Sequence, residues 1–202
     1  MFLFYLLISL TDNSNFDFYI AVKRFMLSDI DFSNNFVFIW PKWIPKKCNI
    51  LVWRAAMGRI PTVDALARRN CYNGDDTCVL CSDGPESADH LFCACYTAAV
   101  LWNQLSIWCR VRPIFAFSTK DLLELHESSG LVSHAKEIFH GLIVVGYWVL
   151  WKKRNDIRFL SASLEVGNLI QEVKVLGFFG KDLFRGIGGV LLTLCNMFSP
   201  LL

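Results

Sequence analysis

Residues 78–95, CVLCSDGPESADHLFCAC, carry the strongest chemical signal in the chain. They contain the pattern C-x2-C-x8-H-x4-C, which is formed by Cys78, Cys81, His90 and Cys95. Zinc binds three thiolates and one imidazole tetrahedrally, with the metal ~2.3 Å from sulfur and ~2.0 Å from nitrogen. Gly84 and Pro85 favour a turn in the intervening loop, which returns the chain toward the first two cysteines. The pattern therefore predicts one zinc ion.

Other interpretations of these cysteines stay open. Cys93 also follows His90, at H-x2-C spacing, and competes with Cys95 for the fourth position. The cysteines could instead be buried as small apolar side chains, or form disulfides. The N-terminal MFLFYLLISL is too short to span a bilayer and lacks the basic region and cleavage site of a signal peptide. Without a secretory signal, thiols or metal ligands are favoured over disulfides, and a nuclear or cytoplasmic location over secretion.

A zinc ion with four protein ligands would have a structural role. Such a site leaves no position for water, so metal-assisted hydrolysis is not expected. The remaining histidines, His126, His134 and His140, fall on predicted helices with no nucleophile paired to them. We therefore expect no catalytic residue and no small-molecule substrate.

Charge is unevenly distributed along the chain, although the formal net charge is only +2. Residues 41–71 contain seven Lys and Arg against one acid, whereas residues 72–109 contain five acids and no Lys or Arg. Cations neutralise nucleic-acid phosphates, and aromatic side chains stack on bases. The predicted nucleic-acid surface consists of the cations that flank the apolar stretches, namely Lys42, Lys46, Lys47, Arg68 and Arg69. Trp43 and Trp53 lie among them, but a core position is favoured for both, and Arg54 is expected to pair inside the fold.

Apolar periodicity predicts a mainly α-helical chain. The predicted helices span residues 48–58, 61–70, 96–109, 118–127, 135–155 and 164–179, and a short strand is possible at 31–40. Thr62 is the predicted N-cap of the second helix, and Ser118 with Asp121 forms a capping-box pattern at the fourth. The fifth is predicted to be a core helix instead of a membrane span, with Lys152, Lys153 and Arg154 at its C-terminal end. The residues expected to contribute buried surface are Trp53, Leu66, Leu101, Trp102, Leu105 and Trp148.

Residues 40–70, WPKWIPKKCNILVWRAAMGRIPTVDALARRN, together with the cysteine-rich segment, resemble a known family. This family is the zinc-binding domain that follows the polymerase domain in plant LINE-type (non-LTR) retrotransposon reverse transcriptases. The matching residues are Trp43, Pro45, Lys46, Lys47, Trp53, Arg54, Arg59, Pro61, Thr62, Leu66, Arg68, Arg69, Cys78, Cys81, Glu86, Ser87, His90, Leu91, Phe92, Cys95 and Trp102. The resemblance also favours Cys95 over Cys93 as the fourth ligand.

The resemblance implies a zinc-binding module that binds RNA or single-stranded DNA. It predicts a small helical domain with a CCHC zinc-knuckle-like insert and further C-terminal helices. The expected regions are a poorly defined segment at 1–34, the zinc-binding domain at 35–110, a helical extension at 111–180 and an atypical tail at 181–202. We find no x-x-D-D strand-turn motif of a polymerase, because the acids lie in the zinc loop instead, so the chain is not expected to polymerise by itself. The second hypothesis is a zinc-stapled structural or protein-interaction domain with no nucleic-acid role.

Overall fold

The computed structural model describes residues 38–182, with side chains described as far as residue 178. The chain divides into two units, residues 1–39 and 40–202, and the elements below belong to the second. The possible strand at 31–40 and the predicted terminal regions lie almost entirely outside the described residues. The predicted region limits therefore stay predictions.

The described residues are mainly helical, as predicted. The α-helices are α1 Lys46–Ala56, α2 Val63–Ala67, α3 Tyr96–Cys109, α4 Thr119–Glu124, α5 Ser133–Leu160 and α6 Leu169–Asp182. A π-helical turn, His90–Ala94, precedes α3, and a short 3-10 helix, Val166–Asn168, precedes α6. Between residues 38 and 182 there is no strand, only an isolated antiparallel bridge between Thr77 and Pro85.

Local signals set several helix ends where the sequence predicts them. Helix α3 has its predicted limits and ends at Arg110, which adopts the left-handed conformation with φ 52°. The capping box of α4 is present, because Ser118 Oγ accepts from the Asp121 N–H and Asp121 Oδ2 accepts from the Ser118 N–H, both at 3.1 Å. Thr62 occupies the N-cap position of α2, but its hydroxyl donates to the Asp64 carboxylate and makes no capping bond. Helix α2 is also shorter than predicted.

Helix α5 is the central element of the core and contacts α1, α3, α4 and α6. From Ile138 to Leu150 its side chains are buried with one exception, which explains why the sequence there is apolar on every face. The helix continues to Leu160, so Arg154 lies inside it and not at its C-terminal end as predicted. Among the described helices none, α5 included, is long and apolar enough to cross a membrane.

The residues predicted to contribute buried surface divide into two groups. Leu101, Trp102 and Leu105 of α3 are buried, as their spacing predicts. The other three, Trp53, Leu66 and Trp148, are half-buried. The spacing of apolar residues in α3 therefore predicts a fully buried face. Trp53, Leu66 and Trp148 contribute only part of their surface to the core.

Two tryptophans pack directly against the backbone of α5 at glycine residues. A Cβ atom built on Gly141 would lie 2.1 Å from Cζ2 of Trp43, and one built on Gly146 would lie 2.5 Å from Cζ3 of Trp102. Trp43 is 7% and Trp102 2% exposed. Glycine ordinarily weakens a helix by ~1 kcal/mol relative to alanine, but here it makes room for two rigid indole rings.

We expect Gly146→Ala to lower the free energy of unfolding by ~1–3 kcal/mol, because the added methyl group overpacks the Trp102 ring. Gly167→Ala is the control, since a Cβ atom at Gly167 has no neighbour within 4 Å. Urea unfolding followed by far-UV circular dichroism measures both variants. A stabilised Gly146→Ala protein would show that helix propensity outweighs the steric contact.

Candidate functional site

The four residues of the C-x2-C-x8-H-x4-C pattern converge in space. Each offers one ligand atom, and these atoms all lie within 4.8 Å of one another. Cys78 Sγ is 4.0 Å from Cys95 Sγ, and Cys81 Sγ is 3.3 Å from His90 Nε2. A tetrahedral zinc site with the usual bond lengths requires ~3.8 Å between sulfurs and ~3.6 Å between sulfur and nitrogen. The donor types and their separations therefore fit a zinc ion.

The π-helical turn explains how His90 and Cys95 reach the same ion. Residues five apart on an α-helix point ~140° away from each other, because each residue turns the chain by about 100°. Here the Cys95 N–H donates to the His90 carbonyl at 2.7 Å, which closes an i to i+5 turn. The wider turn brings both side chains to one side. Isolated π-turns are frequent at functional sites, and sequence spacing alone did not reveal this one.

Cys78 and Cys81 lie in a tight loop that backbone hydrogen bonds close at its base. The Cys78 N–H donates to the Gly84 carbonyl at 3.0 Å, and the Glu86 N–H donates to the Asp76 carbonyl at 2.7 Å. Gly84 has φ 69°, a conformation that a side chain disfavours. The turn predicted at Gly84 is present, and it returns the chain toward His90.

The two buried thiols of the cluster are coupled by a hydrogen bond. Cys78 Sγ–H donates to Cys95 Sγ, which raises the pKa of Cys78 and lowers the pKa of Cys95. Cys93 is half-buried and is not part of the cluster, and burial raises its pKa to about 12. The fourth position is therefore assigned to Cys95 by geometry, because its sulfur lies in the cluster and Cys93 is not part of it.

The residues between the ligands each have a structural role. Ser87 Oγ accepts from the His90 N–H at 3.0 Å and so fixes the start of the π-turn. Leu91 and Phe92 are fully buried, and the Phe92 carbonyl accepts from Trp102 Nε1–H at 2.6 Å. The metal cluster is thereby attached to α3 and to the core below it.

Glu86 forms a buried ion-pair network that the sequence did not indicate. Its side chain is fully buried and accepts from Arg154 Nη2 at 2.6 Å and from Arg154 Nε at 3.1 Å. Arg158 Nη2 lies 3.4 Å from Oε2, and the Val63 N–H donates to Oε1 at 3.1 Å. The Glu86 carboxylate thus connects three elements: the loop of residues 76–86, called the metal loop below, the start of α2 and the C-terminal part of α5.

This network corrects one sequence-based expectation and removes one acid from the loop surface. Arg154 was expected at the C-terminal end of a helix, whereas it is 2% exposed and bonded to Glu86. The five acids of residues 72–109 would make the surface around the cysteines strongly acidic if all of them were exposed. Glu86 is not on that surface, and Asp89 accepts hydrogen bonds from the backbone N–H and hydroxyl of Thr119. The other four acids are exposed, namely Asp75, Asp76, Asp83 and Asp89.

The five cations predicted to bind nucleic acid are all exposed. Lys42 precedes α1, Lys46 and Lys47 lie in its first turn, and Arg68 and Arg69 follow α2. Arg68 forms an exposed ion pair with Asp64 at 3.0 Å. Within residues 38–178, no acid lies within ion-pairing distance of the other four. They remain candidates for phosphate contact.

Arg54 lies near other guanidinium groups of the basic segment. Its Nη2 donates to the Arg59 carbonyl at 3.1 Å. The pKa of Arg54 is lowered by burial first, and then by the charges of Arg69 and Arg59. The ends of α1 and α2 therefore bring three arginines close enough to repel one another.

Two of the three histidines outside the metal pattern, His126 and His140, pack together, which the sequence did not show. The rings of His126 and His140 stack with centroids 4.1 Å apart, and His126 Nδ1 lies 2.7 Å from the Leu123 carbonyl. Burial lowers the pKa of His140 to about 4. A stacked, buried pair of this kind belongs to the packing of α4 against α5.

The fold and site define a helical domain with a Cys3His metal cluster, in which all seven cysteines between residues 48 and 109 are free thiols. Residues 23–102 match a family model described as zinc-binding in reverse transcriptase. The match contains the whole cluster and ends at Trp102. Comparisons with curated proteins and with solved structures gave no match. The family match and the donor set together support a zinc-binding module.

Proposed function

We propose that this chain is a nucleic-acid-binding module whose fold is held by one structural zinc ion. The observation that carries the proposal is that the five predicted cations, Lys42, Lys46, Lys47, Arg68 and Arg69, are all exposed in a domain that also contains a Cys3His cluster fit for zinc. The reverse-transcriptase family match supports RNA or single-stranded DNA as the ligand. Four protein ligands leave the metal no open position, so zinc stabilises the fold and takes no part in hydrolysis.

The charge arrangement supports phosphate as the group that is bound. The pKa of Arg54 is lowered first by burial and then by the charges of Arg69 and Arg59, so the three cations lie in one neighbourhood. A phosphate placed among them would relieve this repulsion and release counterions from the nucleic acid. The resemblance to plant LINE-type elements supports an origin in a retrotransposon reverse transcriptase, without its polymerase active site.

Salt dependence of binding tests this function. We expect the parent protein to bind a short single-stranded RNA with an affinity that falls as salt rises. Each phosphate contact contributes ~0.7 to the slope of log affinity against log salt, so Lys46→Ala/Lys47→Ala should reduce the slope by ~1.4. Fluorescence anisotropy across a salt series measures both proteins.

The matched control is Lys136→Ala/Lys174→Ala, which removes the same formal charge from α5 and α6. Lys136 pairs with Glu127, and the Lys174 ammonium lies over the Trp108 ring. The slope of this variant should equal that of the parent. An equal loss of slope in both double variants would mean that net charge alone governs binding.

An exposed aromatic pair favours a second candidate, a protein-interaction domain stapled by zinc. Phe115 and Phe117 are 72% and 82% exposed and pack edge to face with centroids 5.0 Å apart. Large apolar side chains in contact with water are typical of protein-binding surfaces when they form a patch. Absence of any salt-sensitive binding to RNA or single-stranded DNA would favour this second function.

A further inference from the structure

A half-buried tryptophan of α5 lies directly beside the basic segment of α1. The ammonium of Lys47 lies 4.8 Å from the centroid of the Trp148 ring. Lys47 is exposed and Trp148 is half-buried. The Lys47 side chain has a flexible four-carbon stem, so its ammonium can leave the ring without a change in the backbone.

The surroundings of Trp148 combine cations with an aromatic face. Lys46 adjoins Lys47 at the start of α1, and Lys152 lies one turn beyond Trp148 on α5. Lys46 and Lys152 are both exposed, and Lys152 also pairs with Asp156 at 2.6 Å. Proteins that bind single strands combine such cations, which contact phosphates, with aromatic rings on which bases stack.

The structure leaves Trp148 better placed for stacking than the tryptophans within the basic sequence. Trp43 is 7% exposed and packs on the α5 backbone at Gly141, so a base cannot reach its ring. Trp53 is half-buried, but the structure places no lysine or arginine of the predicted surface over its ring. Trp148 lies outside the matched residues 23–102, which is why no motif pointed to it.

We propose that Trp148 is a base-stacking residue for single-stranded nucleic acid, and that Lys47 moves from its ring to the neighbouring phosphate when a base binds. This inference rests on the proposed function, which it extends from phosphate contact to base contact and from α1 onto α5. A cation over an exposed indole raises an equilibrium constant about 2- to 5-fold. Stacking of a base on an aromatic ring raises it about 5- to 150-fold. Exchange of the ammonium for a base is therefore favourable.

Paired oligonucleotides separate stacking from phosphate binding. The first is a short oligothymidylate, and the second has the same length and phosphates but abasic sugars. We expect the parent protein to bind the base-bearing strand about 5- to 150-fold more tightly than the abasic strand. Equal affinity for the two strands would overturn the role of Trp148 but leave the proposed function intact. Absence of binding to both strands would instead overturn the proposed function.

Three variants test whether Trp148 causes the preference for the base-bearing strand. Trp148→Leu keeps an apolar side chain without a ring, and it should bring the affinity ratio of the two strands close to one. Trp148→Phe keeps an aromatic face and should retain most of the ratio. Trp108→Leu is the matched control, because Trp108 is also half-buried and lies under a lysine, with the Lys174 ammonium 5.3 Å from its ring centroid. Its ratio should equal that of the parent.

The ratio compares two ligands on one protein, so a partial loss of folded protein lowers both affinities and leaves the ratio unchanged. A ratio in Trp148→Leu equal to the parental value would overturn the inference. The inference would also be overturned if Trp108→Leu lowered the affinity ratio of the two strands as far as Trp148→Leu does.

Discussion

Cys95→Ser is expected to abolish stoichiometric zinc binding, whereas Cys93→Ser should keep one zinc ion per chain. The two cysteines are two residues apart, yet only Cys95 has its sulfur in the cluster, 4.0 Å from Cys78 Sγ. Serine is a poor zinc ligand, and a site with three ligands binds far more weakly. Zinc content by atomic emission after dialysis measures the difference.

The loss of zinc should also unfold the loop that the metal closes. Zinc contributes ~10–16 kcal/mol of apparent binding free energy to small zinc-finger peptides near neutral pH, and in such sites that energy is folding energy. The loop before the π-turn is closed by few hydrogen bonds besides the Thr77 and Pro85 bridge. We therefore expect Cys95→Ser, but not Cys93→Ser, to lose protection from limited proteolysis between residues 75 and 95. Equal zinc content in the two variants would contradict the ligand assignment.

Glu86→Gln is expected to lower the free energy of unfolding by ~3–5 kcal/mol, the usual cost of removing one partner from a buried ion pair. Arg154 is 2% exposed and would be left with an uncompensated charge, and Arg158 would lose the same partner. Glutamine keeps the shape of the side chain and can still accept from the Val63 N–H, so the change isolates the charge. Urea unfolding of the zinc-saturated protein measures the effect.

Asp156→Asn is a matched control for Glu86→Gln. The Lys152 to Asp156 pair has the same 2.6 Å distance as the Arg154 to Glu86 pair, but its lysine side chain is 50% exposed. Exposed pairs four residues apart on a helix contribute only ~0.3–0.5 kcal/mol. Similar losses in the two variants would show that burial does not strengthen the Glu86 network. Zinc content must stay unchanged in both, so that metal loss does not account for the result.

The sequence by itself determined the features that depend on neighbours a few residues away. The limits of α3 follow from the helical spacing of Leu101 and Leu105, and the start of α4 from the capping box of Ser118 and Asp121. Spacing also predicted Cys78, Cys81 and His90 as ligands and limited the fourth ligand to Cys93 or Cys95. These interactions are local, and a local pattern of residue types is enough to specify them.

The path of the backbone between the metal ligands could be determined only from the structure. Spacing allowed His90 to be followed by either Cys93 or Cys95, and the preference for Cys95 came partly from the family resemblance. The choice depends on a backbone hydrogen bond from the Cys95 N–H to the His90 carbonyl, which forms a π-turn. Side-chain types do not encode that bond, because every residue offers the same backbone groups.

Only the tertiary structure decided which distant side chains meet. In the sequence, Glu86 is one acid of an acidic loop, and Arg154 is a charge near a helix end 68 positions later. In the structure the two residues form a buried ion pair. Trp43, in the middle of the basic segment, packs on Gly141, and Trp148 lies beside Lys47. These contacts depend on how α5 docks against α1 and the metal loop. Docking is fixed by the fit of many side chains at once, and neither periodicity nor motif spacing carries that information.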